Sequence, residues 1–184
     1  MVDGFALVAW PAVYGDTGVM SFLLGRNGVG KTTLSLGLLA YDYRLLTDDI
    51  FLLNLATRRT IPVPRAPRLR PPADVYLTAA GFNPVVDAAM LDNFVVLPPE
   101  RIETRPLDVP LARVILLRRD ADQPPERRDL PLMDGVVNLL GSSNLAAVDP
   151  DLTQAHDLFA GTRFIAMNLR DYPADLAAIA AGRV

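Results

Sequence analysis

Short apolar runs, broken by Gly, Pro and Asp, alternate along the chain with stretches of helical spacing. Phe5–Val13 (FALVAWPAV) and Val19–Leu24 (VMSFLL) are β-rich and flank Tyr14-Gly15-Asp16-Thr17-Gly18, which predicts a hairpin. Pro11 has no N–H to give a ladder, so it weakens the first run or sends it to a sheet edge. Lys31–Ala40 (KTTLSLGLLA) sets Leu34, Leu38 and Leu39 on one face and predicts a helix of about three turns. Arg44–Thr47 and Ile50–Asn54 read as extended on either side of Asp48-Asp49, and 54–60 as a turn. Residues 61–72 hold five Pro and three Arg, the pattern of an extended surface connection. A short helix is predicted over 84–94, with Asn83 as its cap and Pro84 in its first turn. Arg113–Leu117 and Arg163–Leu169 read as strands. Pro131–Leu140, Asp151–Phe159 (started by Asp149-Pro150) and Tyr172–Ala181 (capped by Asp171) read as helices. The Pro/Arg stretch could mark a boundary, but neither side of it is large enough for a separate domain, so residues 1–184 read as one domain.

Composition narrows the chemistry. Of 184 residues, 51% are hydrophobic and 21% charged, with mean hydropathy +0.23, enough apolar surface for a packed core. The net charge of −3 argues against nucleic acid or an anionic membrane surface as partner. There is no Cys and one His, His156, so thiolate zinc sites, cysteine catalysis and multi-His metal sites are excluded. His156 itself reads as a surface or boundary residue. No run reaches the ~18–20 apolar residues of a membrane span, and the first residues lack the basic start of a signal peptide, so a soluble, cytoplasmic protein is expected. Of the 18 basic residues, 17 are Arg; the only Lys is Lys31.

That Lys falls inside a motif. Gly25-Arg26-Asn27-Gly28-Val29-Gly30-Lys31-Thr32 matches G-x-x-x-x-G-K-[ST], and Thr33 follows. Glycines let such a loop turn its backbone N–H groups onto phosphate oxygens, and the helix that follows adds the positive end of its dipole. Lys31 then reaches the outer phosphates, and the Thr32 hydroxyl is a Mg²⁺ ligand. The motif lies between a predicted strand and a predicted helix, the context this chemistry needs. Downstream, Asp48-Asp49 closes a short strand. Adjacent carboxylates there cannot point the same way, so one can serve a cation while the other takes a proton from an acceptor hydroxyl.

The stretch GRNGVGKTTLSLGLLAYDYRLLTDDIFLLN resembles the HPr kinase/phosphorylase superfamily, including its short HPr-kinase-related members. There a phosphate loop and helix lead to a short strand ending in paired Asp, and the second Asp follows the loop Lys by 18 residues, as Asp49 follows Lys31. The likeness is sharp over residues 19–70, including IPVPRAPRLRPP, and lies only in element order over 113–181. It implies a P-loop α/β domain with a mixed sheet, related to the nucleotide domain of phosphoenolpyruvate carboxykinase. It also implies ATP and Mg²⁺ as cofactors and γ-phosphoryl transfer to a hydroxyl of a protein, peptide or small molecule. By position, the resemblance implies Lys31 as the phosphate-binding Lys, Thr32 as the Mg²⁺ ligand and Asp49 as the acceptor of the hydroxyl proton; the division of roles within the Asp pair then leaves Asp48 as the catalytic partner on the metal side. Two positions depart from the family pattern: Trp10 stands where the family carries His, 21 residues before Lys31, and Arg26 occupies the second loop position. The family's acidic Mg²⁺ residue downstream has no clear match, Asp74 being the nearest candidate. A bifunctional enzyme acting on HPr is not expected.

The residues leave two other readings open, a nucleotide-binding regulator without turnover and an NTPase in which water is the acceptor. Homo-oligomer formation stays open as well. Arg65, Arg68 and Arg70 could clamp phosphate or an acidic acceptor, or simply solvate a loop. Arg118-Arg119 and Arg127-Arg128 read as solvated charges at strand ends and in loops.

Overall fold

The computed structural model describes residues 5–8, 11–15, 18–108, 112–124, 126–141, 143–144 and 153–182. Its strands are β1 (Phe5–Val8), β2 (Ala12–Tyr14), β3 (Met20–Leu24), β4 (Arg44–Thr47), β5 (Phe51–Asn54), β6 (Arg59–Pro62), β7 (Ala89–Leu91), β8 (Phe94–Val96), β9 (Leu107–Asp108), β10 (Ala112–Arg118), β11 (Arg127–Leu130) and β12 (Arg163–Asn168). The helices are α1 (Lys31–Gly37), α2 (Ala73–Ala79), α3 (Leu132–Leu140), α4 (Thr153–Phe159) and α5 (Tyr172–Ala180). A 3₁₀ turn over Leu38–Tyr41 prolongs α1, which gives the sequence LSLGLLA nearly the length its leucine spacing predicts. Among these residues no helix is long and apolar enough to cross a membrane.

A six-stranded mixed sheet in the order β11-β12-β10-β3-β2-β4 forms the centre. β3, β10 and β12 are mutually parallel, whereas β2 pairs antiparallel with both β3 and β4. β4 therefore runs in the direction of β3, and four strands end at the same edge of the sheet. Alternation along β3 decides what each face packs against. Met20, Phe22 and Leu24 point to one face, where β1 and β5 supply Ala6, Val8, Phe51 and Leu53, and α3 and α4 supply Val136, Leu139, Leu158 and Phe159. Phe22 and Phe51 stack there with ring centroids 4.8 Å apart. Leu23 points to the other face, into a core with Leu34 and Leu36 of α1, Leu77 of α2 and Leu176 and Ile179 of α5. Burying each such side chain is worth about 1.5–3 kcal/mol, so the two apolar layers clamp β3 from both sides.

The second sheet, β1-β5-β6-β9, is antiparallel and lies against the first of these faces. The chain crosses between sheets near Pro11. β1 is an edge strand of the second sheet, as Pro11 suggested for the first apolar run, but β2, which follows Pro11, is interior to the central sheet and pairs on both sides. The predicted hairpin is β2–β3 alone, with Ala12 opposite Phe22 and Tyr14 opposite Met20. The outer side of β4 meets residues 101–105, where Glu103, 2% exposed, pairs with Arg105 at 2.8 Å and Arg44 at 3.1 Å. These two guanidiniums hold the Glu103 carboxyl down at about 2.

One predicted element is replaced outright. Residues 84–94 form no helix; 89–96 are the hairpin β7–β8, whose turn at Asp92-Asn93 places Asp92 at φ 53°. Asn83 caps a turn instead: its Oδ1 accepts from the Val85 N–H at 3.1 Å. The Pro/Arg stretch is extended, but not a free surface connection. It begins within β6 and its Leu69, 6% exposed, docks on the hairpin through Leu69 N–H to Asn93 O at 2.8 Å. The predicted helices over 131–140, 151–159 and 172–181 correspond to α3, α4 and α5, with Asp171 capping α5 through its side chain to the Ala174 N–H. Trp10 and Asp149-Pro150 lie outside the described residues.

Candidate functional site

Residues from the four convergent strand ends line one cleft of about 720 Å³. β3 delivers the loop 25–30, β4 delivers Asp48 and Asp49, β10 delivers Arg119 and β12 delivers Leu169 and Arg170. Ligand crevices in α/β proteins form outside the carboxyl ends of parallel strands because loops there diverge and leave space. The opposite wall comes from the segment Arg68–Ala73 and from Tyr76 on α2, and α5 adds Tyr172 and Asp175.

The glycine loop is shaped by what surrounds it. A Cβ at Gly25 would stand 2.7 Å from the Leu117 carbonyl on β10, so only glycine lets the loop leave β3 that close to its neighbour. Gly30 takes φ 112° and starts α1 with no side-chain cap. The first helical bond is Leu34 N–H to Gly30 O at 2.9 Å, which leaves the N–H groups of Lys31, Thr32 and Thr33 without intrahelical partners. Lys31 Nζ folds back to donate to the carbonyls of Gly25 at 2.8 Å and Arg26 at 3.2 Å. Burial pulls its ammonium below the ordinary value, while Asp48 and Asp49 oppose that fall. Of the loop residues, Arg26 alone is absent from the cleft wall; its carbonyl takes the Lys31 amine and the Val29 N–H, and its side chain is exposed.

The two aspartates part company, as their adjacency requires. Asp48 turns inward beside Thr32 and Lys31, and its Oδ1 is buried without a hydrogen-bond partner. Burial pushes its carboxyl up to about 7, against the pull of the Thr32 hydroxyl; the Asp49 charge adds to the rise, and Lys31 and Arg65 oppose it. Asp49 turns outward and pairs with Arg65 at 2.7 Å, both side chains 56% exposed. Thr47, fully buried, sets this divergence. Its Oγ1 accepts from the N–H groups of Asp49 at 3.3 Å and Ile50 at 3.2 Å, and reaches the carbonyls of Ile50 at 2.8 Å and Val63 at 3.0 Å. One buried hydroxyl therefore fixes the turn after β4 and ties it to the start of the Pro/Arg segment.

The structure thus brings Gly25, Asn27, Gly28, Val29, Gly30, Lys31, Thr32, Thr33, Asp48 and Asp49 to one cleft. It does not bring Asp74, which is exposed in the first turn of α2, nor His156, which is exposed on α4 and pairs with Asp157. Among the described residues no group of three or more acidic or His side chains is placed to hold a metal. Of the arginines read as clamps, Arg68 and Arg70 line the cleft and Arg65 holds Asp49. Sequence reading missed Tyr76, Arg119, Arg170, Tyr172 and Asp175. Tyr172 donates its hydroxyl to the Thr33 carbonyl and meets the Tyr76 ring at 5.8 Å. Asp175 accepts the Arg170 N–H at 2.9 Å, and burial raises its carboxyl. The capping pattern at Asp171 predicted where α5 starts in the chain, but not that this start lies beside the loop.

Residues 1–32 match a family described as a protein of unknown function (DUF2950). No curated protein matches the chain. Among solved structures, the Hpr(Ser) kinase/phosphatase from Coxiella burnetii aligns over 96% of this chain and 95% of that chain, with TM-score 0.51 and 13% sequence identity. The mixed α/β architecture, with its several sheets, is therefore similar to that of an HPr kinase; at this identity the likeness is one of fold.

Proposed function

We propose that the cleft binds a nucleoside triphosphate with Mg²⁺, and that the protein is a kinase passing the terminal phosphoryl group to a hydroxyl of a protein, peptide or small-molecule acceptor. The observation that carries this reading is the meeting, at the ends of β3 and β4, of Lys31, Thr32 and Asp48, whose Oδ1 has no hydrogen-bond partner. A buried oxygen with no partner costs about 1–3 kcal/mol, a cost that a bound donor removes. The residues fit the groups the reading needs. The glycine loop and the uncapped start of α1 offer N–H donors to phosphate, and Lys31 would exchange its loop carbonyls for phosphate oxygens. Thr32 would hold Mg²⁺, an ion that keeps most of its shell as water and phosphate oxygen. When bound, Mg²⁺ supplies positive charge to the phosphate oxygens.

The carboxylate roles favoured here differ from those the resemblance implied. Asp48 is the better proton acceptor: it lines the cleft, its Oδ1 makes no hydrogen bond, and a carboxyl at about 7 matches the optimum for a base at neutral pH. Asp48 would take the proton that the acceptor hydroxyl gives up. Asp49, held outward by Arg65, flanks the site. The test is label transfer from γ-labelled ATP to a panel of serine peptides, proteins and polyols. Asp48→Asn should lower transfer by roughly 10²–10⁴ with nucleotide affinity within a few-fold, and Asp49→Asn far less. Phosphate release without an acceptor would make the protein a triphosphatase, and binding without either reaction a nucleotide-responsive regulator.

A further inference from the structure

The chain carries a net charge of −3, yet its cleft gathers Lys31, Arg68, Arg70, Arg119 and Arg170 against three aspartates. Most of these charges are engaged. Arg68 lies over the Phe94 ring at 5.9 Å and faces Asn93. Arg170 donates to the carbonyls of Ala121 and Gln123. Asp49 is neutralised by Arg65, and Asp175 takes the Arg170 N–H. Arg70 and Arg119 remain: among the described residues neither side chain makes a hydrogen bond or an ion pair. They reach the cleft from different walls, Arg119 beyond the end of β10 and Arg70 just before α2.

We infer that Arg70 and Arg119 form a seat for an anionic group of the phosphoryl acceptor, so that the acceptor is a hydroxyl compound carrying a carboxylate or phosphate. The inference rests on the kinase reading and adds the acceptor's chemical class. Phosphate oxygens of a nucleotide would already be served by the loop N–H groups and Lys31, with Thr32 on the cation. A guanidinium fork binds carboxylate or phosphate through two parallel hydrogen bonds, which fixes orientation as well as affinity. An acceptor held by such a fork, with its hydroxyl on Asp48, is fixed at two points.

The test loads the full chain with a Mg²⁺ complex of a non-hydrolysable ATP analogue and titrates inorganic phosphate by calorimetry. Phosphate should bind the loaded protein, and Arg70→Gln with Arg119→Gln should weaken it at least about tenfold, the loss of charge-assisted hydrogen bonds. Nucleotide affinity should change by less than about threefold, and circular dichroism should be unaltered because both side chains are exposed. If the nucleotide binds and phosphate does not, or phosphate binding ignores both substitutions, the seat is refuted and the kinase reading survives. Nucleotide affinity falling in step with phosphate would assign the arginines to the nucleotide and overturn the inference. If no nucleotide binds, both readings fail. A transfer assay then separates the anion's source, comparing glycerol 3-phosphate and glycerate with neutral glycerol, and serine peptides with acidic or neutral flanks. Equal transfer to neutral and anionic members of each pair contradicts the seat.

Discussion

Replacing Asp48 by Asn should stabilise the protein while removing its chemistry, and the gain should depend on pH. The Asp48 carboxyl sits at about 7 in the folded chain against an ordinary 3.8, burial being the first cause. Between those two values the folded state holds a proton that the unfolded state has released, so wild-type stability falls as pH rises from about 4 through 7. A rise of about three pH units at ~1.36 kcal/mol each sets an upper bound of about 4 kcal/mol for the charge's cost above pH 7. Partial exposure of the carboxylate brings the expected figure to about 2–3 kcal/mol. Asn keeps the shape and carries no charge, so it escapes this cost. Urea unfolding at pH 4.5, 6 and 8 should show the two proteins nearly equal at the lowest pH and Asp48→Asn ahead at the highest. A difference that does not vary with pH, or a less stable Asn variant at pH 8, would refute the cost of burying the Asp48 charge.

Three further outcomes follow from the same geometry. Gly25→Ala sets a Cβ 2.7 Å from the Leu117 carbonyl at φ 155°, and should cost about 2–3 kcal/mol, lowering the thermal midpoint by about 5–10 °C in calorimetry. Thr47→Val leaves the N–H groups of Asp49 and Ile50 without their acceptor and should cost about 1–3 kcal/mol in denaturant unfolding, whereas Thr47→Ser should hold both the turn and the transfer rate. Arg65→Ala breaks an exposed pair and should change stability by less than about 1 kcal/mol, seen in the same unfolding assay, while leaving Asp49 free to compete for cations in a Mg²⁺ titration.

Local patterns carried much of the fold. The loop 25–30, the helix after it and the strand ending at Asp48-Asp49 are written in contiguous residues, and so is the Asp171 cap. The hairpin β7–β8 was lost because PVVDAAMLDNF carries apolar residues at mixed spacing. Its decisive signal is the Asp92-Asn93 turn, whose left-handed φ suits those residue types. The helix α2 is masked by the five prolines of 61–72, a pattern that reads as extended backbone although its last pair, Pro71-Pro72, directly precedes the helix start. The missing half of the site has a different cause. Arg119 and Arg170 reach the cleft only because β10 pairs parallel with β3 (Ala112 opposite Met20) and β12 pairs parallel with β10 (Arg113 opposite Arg163), partners far apart in sequence. Nothing local encodes that adjacency. The burial that sets Asp48 apart from Asp49 is likewise fixed by Thr47 and the return of Val63, not by the pair itself.

The most direct test of a nucleotide site built around Lys31 uses the fact that this side chain is the only amine in the chain besides the N-terminus. An acyl-phosphate derivative of ATP transfers its acyl group to an amine held beside bound phosphates, and peptide mass spectrometry reads which amine is modified. Lys31 should be modified, with excess Mg-ATP abolishing the modification, and Asp48→Asn should leave both results in place. Modification confined to the N-terminal amine, or Lys31 modification that excess Mg-ATP does not reduce, would contradict the account.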